Sequence, residues 1–543
     1  MRLFSFRALA LGVLGLTGTV AAQPIFSGGI EFDGLPLGAR NATANLEAEG
    51  GRLYAGPRLI ISEDGQTFRF EDDPVFDPSV PEEARIFSLD VEGDVIWAGL
   101  GYVEPEPDAN GNTVQVAAGF AFSTDGGQTW AYRFPQLDAQ EDDTLVYGVS
   151  TLEAVPVVVP QQSPPFDIDV EAATGDVWVA GFASGLRRSQ NNGQTWERIV
   201  LPPDTTDRID PTTPYDFLYA PTAPGLPQQN GFLGFAVLVD ESGTVWAGTA
   251  AGVARSDTLD AASGDLAWRR FAFDGTSGSI TGDFVVAIEE QPLGDPTLPV
   301  GDPGNPRNPV WIISRPGDAG GVNGLTVWTG DDADGQPLFE PRLIPGNRVN
   351  DIAFDGTNVY AAGSDGLYLS NDDGVTWQTI TTFRTAQGTV IPLGSVSTFA
   401  AAVTNAGTPS ATVWVSTGDG LVKSTDGGQT WTAFRVNVPP AGDGSDEAPE
   451  VESYAYPNPF TPGADGYCRI RYDLTQDAGT SRVRIFDFGM QLVRDLEAPA
   501  RAGANEALWD GLSSDGTRVA NGAYFYVVEA GGTTVSGKIL VLE

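Results

Sequence analysis

Ser123-Thr-Asp-Gly-Gly-Gln-Thr-Trp130 decides the fold, because the same eight-residue pattern returns three more times. The copies are Ser189-Gln-Asn-Asn-Gly-Gln-Thr-Trp196, Ser370-Asn-Asp-Asp-Gly-Val-Thr-Trp377 and Ser424-Thr-Asp-Gly-Gly-Gln-Thr-Trp431. The pattern S-x-[DN]-x-G-x-T-W indicates a tight hairpin. Its Asp or Asn accepts bonds from its own turn, its Gly takes positive φ, and its Trp covers the sheet. The predicted structural positions are Ser123, Asp125, Gly127, Thr129, Trp130, Ser189, Asn191, Gly193, Thr195, Trp196, Ser370, Asp372, Gly374, Thr376, Trp377, Ser424, Asp426, Gly428, Thr430 and Trp431.

Each hairpin lies in a larger frame of four short apolar runs separated by turns. Around the third copy the predicted strands are Val349–Phe354, Asn358–Gly363, Leu367–Ser370 and Gln378–Thr381. The frame fits two more sets: Phe166–Val170, Asp176–Ala180, Gly185–Ser189 and Glu197–Leu201; and Phe235–Asp240, Thr244–Thr249, Gly252–Ser256 and Arg269–Phe273. Repeated four-stranded units are typical of a radial architecture.

Two aromatic positions recur once in each unit, so they give the number of units. The hairpins close on Phe68, Trp130, Trp196, Trp268, Phe339, Trp377 and Trp431, and the second strands carry Tyr54, Trp97, Trp178, Trp246, Trp311, Tyr360 and Trp414. A small sheet cannot bury both faces alone, so these units predict an all-β fold with a seven-bladed β-propeller. Counts of six and eight stay open. A strand at Ile25–Phe32 is expected to help close the ring.

The amino-acid composition excludes several classes of function. Acidic residues number 72 against 30 basic ones, giving a net charge of −42, and Lys423 and Lys538 are the only lysines. This balance disfavours a nucleic-acid partner. It fits a halophilic protein, or else an acidic, solubilising surface. A single cysteine, Cys468, excludes an intrachain disulfide, and the absence of histidine excludes Ser-His-Asp and His-zinc chemistry.

The two ends of the chain differ from its middle. Residues 1–22 predict a secretory signal peptide, with Arg2 and Arg7 before an apolar segment and a small-residue cleavage site. No other apolar run is long enough for a spanning helix. The predicted domains are the propeller at 23–437, an acidic, Pro- and Gly-rich linker at 438–452, and a small β-sandwich at 453–543.

The eight-residue pattern resembles the Asp-box, or BNR repeat, of sialidases, sortilin-type receptors and other secreted propellers. The segment Asp240–Arg255 also resembles the repeat of two-component regulator propellers. The resemblance covers about residues 35–440 and implies an architecture more than an activity, since the motif lies in a structural hairpin. No kinase or response domain follows, so a signalling role is not implied.

The last domain resembles the FlgD-like immunoglobulin-type domain, on Tyr456-Pro-Asn-Pro-Phe460, Val483–Gly489, Trp509-Asp-Gly511, Gly522-Ala-Tyr-Phe-Tyr526 and Gly537–Glu543. In some bacterial proteins this domain is a type IX secretion sorting domain. The resemblance therefore implies export, surface delivery and secretion machinery as a partner. The implied sorting residues are Gly522, Tyr524, Lys538 and Val541. The alternative is an accessory β-sandwich.

Candidate ligand-binding residues lie in the three longest predicted loops, Ala131–Pro165, Pro202–Gly231 and Gly101–Gln115. In a propeller with strands running outward, these loops share one face. They carry five aromatic residues: Tyr102, Tyr147, Tyr215, Phe217 and Tyr219. Aromatic loops on a rigid scaffold suit recognition of a glycan or a protein. Packing that anchors the loops is the alternative.

We predict a non-catalytic, monomeric binding protein without a cofactor. The alternative is a secreted glycoside hydrolase of sialidase-like architecture, but Arg58-Leu-Ile-Ile61 stands where that family has Arg-Ile-Pro. Calcium binding is considered at the turns Asp331–Gly335 and Asp108–Gly111. Their spacing departs from D-x-D-x-D-G, and solvated acidic turns are the alternative.

Overall fold

The computed structural model describes residues 45–434 and 453–542, except 57–58, 64, 66–68, 71–83, 108–110, 222–228, 295–297, 299–304, 306, 343, 345–347, 387, 389, 392, 394–396, 419, 466, 499 and 501. The predicted signal peptide, the Ile25–Phe32 strand, the 438–452 linker and Phe68 lie outside these residues. The described chain is all-β, as predicted, with one α-helical turn, α1 (Pro462–Asp465), and two 3₁₀ turns, Pro160–Gln162 and Asn230–Phe232.

Seven antiparallel sheets follow one another along the chain, and each is built from consecutive strands. Blade 1 holds β1 (Leu46–Glu49), β2 (Arg52–Ala55), β3 (Ile60–Ser62) and β4 (Arg69–Phe70); blade 2 holds β5 (Arg85–Glu92), β6 (Val95–Val103), β7 (Gln115–Ser123) and β8 (Ala131–Arg133). A separate hairpin, β9 (Thr144–Tyr147) and β10 (Ser150–Glu153), precedes blade 3, which holds β11 (Pro165–Val170), β12 (Val177–Gly181), β13 (Gly185–Ser189) and β14 (Glu197–Ile199).

Blade 4 has a fifth strand at its outer edge, because β15 pairs with β19. Its strands are β15 (Arg208–Ile209), β16 (Gly234–Val239), β17 (Val245–Thr249), β18 (Gly252–Leu259) and β19 (Leu266–Phe271). Blade 5 holds β20 (Phe284–Glu290), β21 (Val310–Arg315), β22 (Gly324–Asp331) and β23 (Pro337–Arg342); blade 6 holds β24 (Val349–Asp355), β25 (Asn358–Gly363), β26 (Gly366–Ser370) and β27 (Gln378–Ile380); blade 7 holds β28 (Thr398–Thr404), β29 (Thr412–Thr417), β30 (Gly420–Ser424) and β31 (Thr432–Phe434).

The first strand of each blade is the innermost, counting from β16 in blade 4 because β15 lies at its outer edge, and these inner strands form a closed ring. β1 contacts β5, and contacts continue through β11, β16, β20 and β24 to β28, which contacts β1 again. The blades therefore surround a central channel, as in a β-propeller, and the number of sheets in the ring equals the number of units counted in the sequence.

The recurring aromatic residues form the cores between blades. All seven predicted second-strand aromatics lie in the second strands, and none is more than 2% exposed. Trp246 of blade 4 packs edge-on against Trp328 of blade 5, with 5.0 Å between ring centroids. Each blade thus covers the apolar face of its neighbour, which a lone four-stranded sheet could not do.

The motif hairpins have the predicted local structure. In the first copy, the Asp125 carboxylate accepts bonds from the Thr129 backbone N–H at 2.8 Å and from the Thr129 hydroxyl at 2.6 Å. The Ser123 hydroxyl donates to Asp125 and accepts from the backbone N–H of Gly127, which has φ of 85°. These bonds, those with Thr129 first, lower the pKa of Asp125 to about 2. The motif is a self-contained turn.

The C-terminal domain is a sandwich of two antiparallel sheets, as predicted. One sheet contains β32 (Ser453–Tyr456), β33 (Cys468–Leu474) and β36 (Gly503–Trp509); the other contains β34 (Ser481–Phe486), β35 (Leu492–Ala498), β37 (Gly522–Ala530) and β38 (Thr533–Val541). Its core includes Phe460, Trp509 and Tyr526, together with the buried thiol of Cys468.

Candidate functional site

Four of the five predicted binding aromatics converge on one cluster, which packs against blades 3 and 4. Tyr147 and Tyr215 lie with ring centroids 6.3 Å apart, and Phe217 lies 5.9 Å from Tyr215. Tyr219 joins the cluster through Phe232, at 4.6 Å. Tyr102 is elsewhere: it lies within β6 and packs against the core of blades 1 and 2.

The hydroxyl groups of this cluster bind the main chain. Tyr147 donates to the Leu266 carbonyl at 2.9 Å, and Tyr219 donates to the Ile199 carbonyl at 3.3 Å. Tyr147 is 1% exposed and Tyr219 is 2% exposed. Burial raises the pKa of Tyr219 to about 12. The geometry of these two residues is that of loop anchors, with their polar ends turned away from solvent.

A buried ion pair anchors the loop that follows blade 2. The Asp138 carboxylate lies 2.7 Å from Nη1 of Arg187 and 3.6 Å from Nη1 of Arg198, both in blade 3. It also accepts the backbone N–H of Val157 at 2.7 Å. The side chains of Asp138 and Arg187 are only 5% and 2% exposed. This loop is therefore fixed on the scaffold.

The mouth of the central channel is lined by phenylalanine side chains. Six inner strands shift register near their first residues, at the same place in each blade. In four blades the residue at the shift is phenylalanine, and we call these residues the phenylalanine collar: Phe87, Phe166, Phe235 and Phe399. A bulge turns its extra residue out of the ladder, so the collar is partly exposed at the mouth.

The collar continues across blades 3, 4 and 5. The rings of Phe166 and Phe235 stack at 5.4 Å, and Phe284 meets Phe235 edge-on at 4.6 Å. Contiguous, partly exposed aromatic rings of this kind are an unusual surface for a protein with a net charge of −42. They form an apolar rim on one side of the channel.

Arginines lie beside this rim. Arg315 is paired with Phe284 in the ladder of blade 5, and Arg348 directly precedes β24 of blade 6. Burial and the charge of Arg348 lower the pKa of Arg315. Within the described part of the chain, Nε of Arg315 is buried and has no hydrogen-bond partner. Across the channel, the Arg85 guanidinium lies 5.7 Å from the ring of Phe87.

Below the mouth, carboxyl groups line the channel. Four occupy one level, because each is paired in the ladder with the second-strand aromatic of its own blade: Glu47, Asp90, Asp169 and Glu289. Asp167 and Asp351 lie two residues nearer the mouth, each directly after the register shift of its strand. We call these six groups the channel carboxylates.

The aspartates among them bridge neighbouring blades. Asp90 accepts the Val170 backbone N–H at 2.7 Å, and Asp167 accepts that of Val237 at 2.9 Å. Asp169 and Asp351 make the same kind of bond to blades 4 and 7, at 3.2 and 2.9 Å. Each such bond satisfies an inner-strand N–H that faces the channel.

Burial raises the pKa of every channel carboxylate. Burial raises the pKa of Asp167 and of Asp351 to about 7, and that of Asp90 to about 6. The pKa of Glu47 lies well above its usual range, through burial first and then through the charges of Asp90 and Glu289. Charges on opposite blades therefore act on one another across the channel axis. Burial and this mutual repulsion both favour the neutral form of these groups over the charged one.

Sequence reasoning missed both the collar and the channel carboxylates. A signal for the collar was present, since Phe87-Ser-Leu, Phe166-Asp-Ile, Phe235-Ala-Val and Phe399-Ala-Ala each open a first strand. The carboxylates gave a weaker signal. Acidic residues are frequent throughout this chain, and only the strand register shows that these six carboxyl groups lie in one channel.

No group of three or more Cys, Asp or Glu side chains in the described ranges is arranged to hold a metal ion. At the proposed calcium turn, Asp331 forms a two-point ion pair with Arg255 at 2.7 and 2.8 Å. Asp332 accepts the backbone N–H groups of Asp334 and Gln336. Calcium binding there stays a prediction, and the other turn lies mostly outside the described residues.

The implied sorting residues divide into two pairs. Tyr524 and Val541 belong to the core of the sandwich, and the Tyr524 hydroxyl donates to the Ala520 carbonyl at 2.8 Å. Lys538 is exposed on β38, and Gly522 begins β37 with φ of 158°. Of the four, Lys538 is the exposed residue, and Gly522 is partly exposed.

Comparison with known proteins gives one match for the C-terminal domain and several structural similarities for the chain. The profile of the FlgD Ig-like domain matches residues 460–534. No curated protein matches the chain. Among solved structures, PorZ of Porphyromonas gingivalis, described as an essential surface component of the type-IX secretion system, is 14% identical, with 92% of this chain and 70% of that one covered and a TM-score of 0.31.

Two other solved structures are similar at the same level. YCF48 of Cyanidioschyzon merolae is 14% identical, with 72% of this chain and 96% of that one covered and a TM-score of 0.41. The extracellular domain of BT3049 of B. thetaiotaomicron, a putative hybrid two-component system, is 11% identical, with 90% and 77% covered and a TM-score of 0.33. No helix in the described ranges has the length and hydropathy that a membrane crossing requires. By its sheet topology and its profile match, the chain combines a β-propeller with a FlgD Ig-like domain.

Proposed function

We propose that this is an exported, non-catalytic propeller protein that binds a glycan or a protein at the cell surface or outside the cell. The observation that carries the proposal is the channel mouth, where the phenylalanine collar adjoins Arg315 and Arg348. Aromatic rings offer apolar area, and guanidinium groups offer directed donors. A ligand with a ring or apolar face and an anionic group suits this combination.

The bonding of the channel carboxylates favours binding over hydrolysis. A glycosidase needs one carboxyl group as acid and another as base or nucleophile, both free to meet substrate. Here Asp90, Asp167, Asp169 and Asp351 already accept backbone N–H groups of the neighbouring blade. Their position suits holding the ring of blades together.

A secreted glycoside hydrolase is the second candidate, and one observation favours it. Glu47 and Glu289 have pKa values well above the usual range through burial, as a general acid requires. Hydrolysis of chromogenic glycosides that is lost in both Glu47→Gln and Glu289→Gln would establish the enzyme. We expect no turnover.

Binding at the mouth is tested with acidic polysaccharides, namely alginate, polygalacturonate and chondroitin sulfate, by calorimetry. Phe235→Ala and Arg315→Gln should each weaken binding by at least about tenfold, equivalent to 1.4 kcal/mol. Phe488→Ala is the matched control, because Phe488 is 80% exposed on the other domain. Binding that survives both mouth variants would overturn the proposed site.

We further propose that the C-terminal domain directs export in the manner of a type IX sorting domain. Support comes from the FlgD Ig-like profile and from the exposed position of Lys538 on β38. In a host with that secretion system, deletion of residues 453–543 should retain the protein inside the cell, as measured by fractionation. Lys538→Glu should reduce surface delivery without unfolding the sandwich. Normal delivery of the truncated protein would refute the sorting role.

A further inference from the structure

A groove of about 730 Å³ lies on the outer side of the propeller, between blades 6 and 7. Its floor includes Leu369 and Ile380, and its far wall is the motif hairpin of blade 7 around Gly427. The groove shares no lining residue with the channel mouth. A cavity of this size lies within the range of small-molecule and oligosaccharide sites.

A contact that joins neighbouring blades at two other places in the propeller is missing at the groove. In blade 2, Nε of Arg133 donates to the Asn192 carbonyl of the next motif hairpin at 2.8 Å. In blade 5, Nε of Arg342 donates to the corresponding carbonyl, that of Asp373, at 3.0 Å. Each arginine side chain crosses the space between its blade and the next. We call this contact the arginine clip.

Blade 6 has no arginine at the clip position. Ile380 occupies it, since Ile380 pairs with Leu367 of the third strand just as Arg342 pairs with Leu325. The carbonyl that the clip would reach belongs to Gly427, which has φ of 68°, as Asn192 and Asp373 have 53° and 54°. The shorter apolar side chain leaves this space open, with a polar turn on its far side.

The lining side chains are mostly uncharged and able to form hydrogen bonds. They include Asn358, Asn371, Gln378, Thr379, Thr381 and Gln429. Amide groups both donate and accept, and hydroxyls do the same. In a chain with 72 acidic residues, a groove lined by neutral amides and hydroxyls differs from the average surface.

The two charged residues of the groove are already engaged. Asp426 accepts bonds from the hydroxyls of Ser424 and Thr430, at 2.7 and 2.6 Å. Nη1 of Arg384 donates to the Gly388 carbonyl at 3.1 Å. Asp426 is thus held by its own hairpin, whereas Arg384 is exposed and uses only one of its N–H groups here. Because most lining side chains are neutral amides and hydroxyls, the complementary ligand is a neutral polyhydroxyl compound, whose C–H faces can cover Leu369 and Ile380.

We propose that this groove binds a neutral oligosaccharide. Hydroxyl groups of the sugar bond to the amides of Asn371 and Gln378, and one donates to the Gly427 carbonyl in place of the absent arginine clip. The site is separate from the channel mouth and does not depend on the function proposed for that mouth.

The test uses the whole protein and three neutral probes, maltoheptaose, cellohexaose and laminarihexaose, by calorimetry. The double variant Asn371→Ala/Gln378→Ala removes two exposed amides and should weaken binding by at least about tenfold. Ile380→Arg should introduce the clip, fill the groove and abolish binding. Gln128→Ala, an exposed amide on the equivalent hairpin of blade 2, is the control and should leave affinity unchanged.

Unchanged thermal melts of the variants confirm that they fold. Absence of binding to all three probes would overturn the proposal, as would binding that neither groove variant weakens. Loss of neutral-probe binding in Phe235→Ala, with both groove variants unaffected, would place the sugar at the channel mouth instead. Loss of acidic-polysaccharide binding at the mouth, with neutral-probe binding intact, leaves the groove site standing.

Discussion

The channel carboxylates make the stability of the propeller depend on pH, and Asp167→Asn tests this most directly. Burial raises the pKa of Asp167 from 3.8 to about 7 in the folded protein. A carboxyl group whose pKa is raised on folding stabilises the fold fully below its unfolded pKa, and this stabilisation is lost as pH rises through the folded value. The relevant window therefore runs from about pH 4 to about pH 7.

The shift sets the size of the effect. A change from 3.8 to about 7 is about three pKa units, and each unit corresponds to 1.36 kcal/mol, so one group can account for up to about 4 kcal/mol. Asparagine keeps an oxygen that accepts the Val237 N–H and carries no charge, but its amide NH2 cannot accept the Ile168 N–H that the other oxygen of Asp167 accepts. Losing that bond lowers the stability of the variant by the same amount at every pH. The stability of the variant relative to the parent protein should therefore rise by up to about 4 kcal/mol between pH 4 and pH 8.

Urea unfolding followed by tryptophan fluorescence, at constant salt and at both pH values, measures this difference. Eleven of the 12 tryptophans precede residue 450, so the signal reports the propeller. Asp334→Asn, on an exposed outer turn, is the control and should behave as the parent protein at both pH values. A stability difference between variant and parent that stays the same at both pH values would refute the view that charge in the channel opposes folding.

Three further predictions concern named contacts, and one concerns the net charge. Ser123→Ala should cost about 1–3 kcal/mol in unfolding free energy, because a buried acceptor inside the hairpin is lost. Asp138→Ala should cost about 3–5 kcal/mol by leaving buried arginine unpaired, whereas Asp207→Ala, in an exposed pair, should cost under about 1 kcal/mol. Mass spectrometry after amine labelling should find Lys538 modified and Lys423 protected, since Lys423 donates to the Gly65 carbonyl and lies 5.3 Å from the Trp414 ring. If the charge of −42 reflects adaptation to salt, melting temperature should fall as salt is lowered from about 1 M to about 0.01 M, and an unchanged value would contradict that reading.

Much of the fold could be predicted because its signals are local. The strand Asn358–Gly363 was predicted with the bounds that the structure has, and most other quoted strands differ by one or two residues. Turn chemistry depends on neighbouring residues, so the hairpin bonds of Asp125 followed directly from the pattern. The candidate site was less predictable. Tyr147 and Tyr219 were sought as surface residues, but packing of their loops on blades 3 and 4 buries them.

The amino-acid sequence by itself determined the repeating unit, the aromatic positions between blades, the sandwich at the end and the exclusion of histidine chemistry. These follow from short-range pattern and composition. Only the tertiary structure decided what closing the ring brings together. Asp90 and Glu289 lie about 200 residues apart in the chain, yet their charges interact across one channel. Likewise, nothing in the sequence distinguishes Ile380 from other strand residues. Its role appears only in the structure, where blade 7 lies next to it and the groove lies between them. Contacts of this kind depend on how the blades are arranged around the axis. The spacing of residues along the chain does not give the distance between two blades.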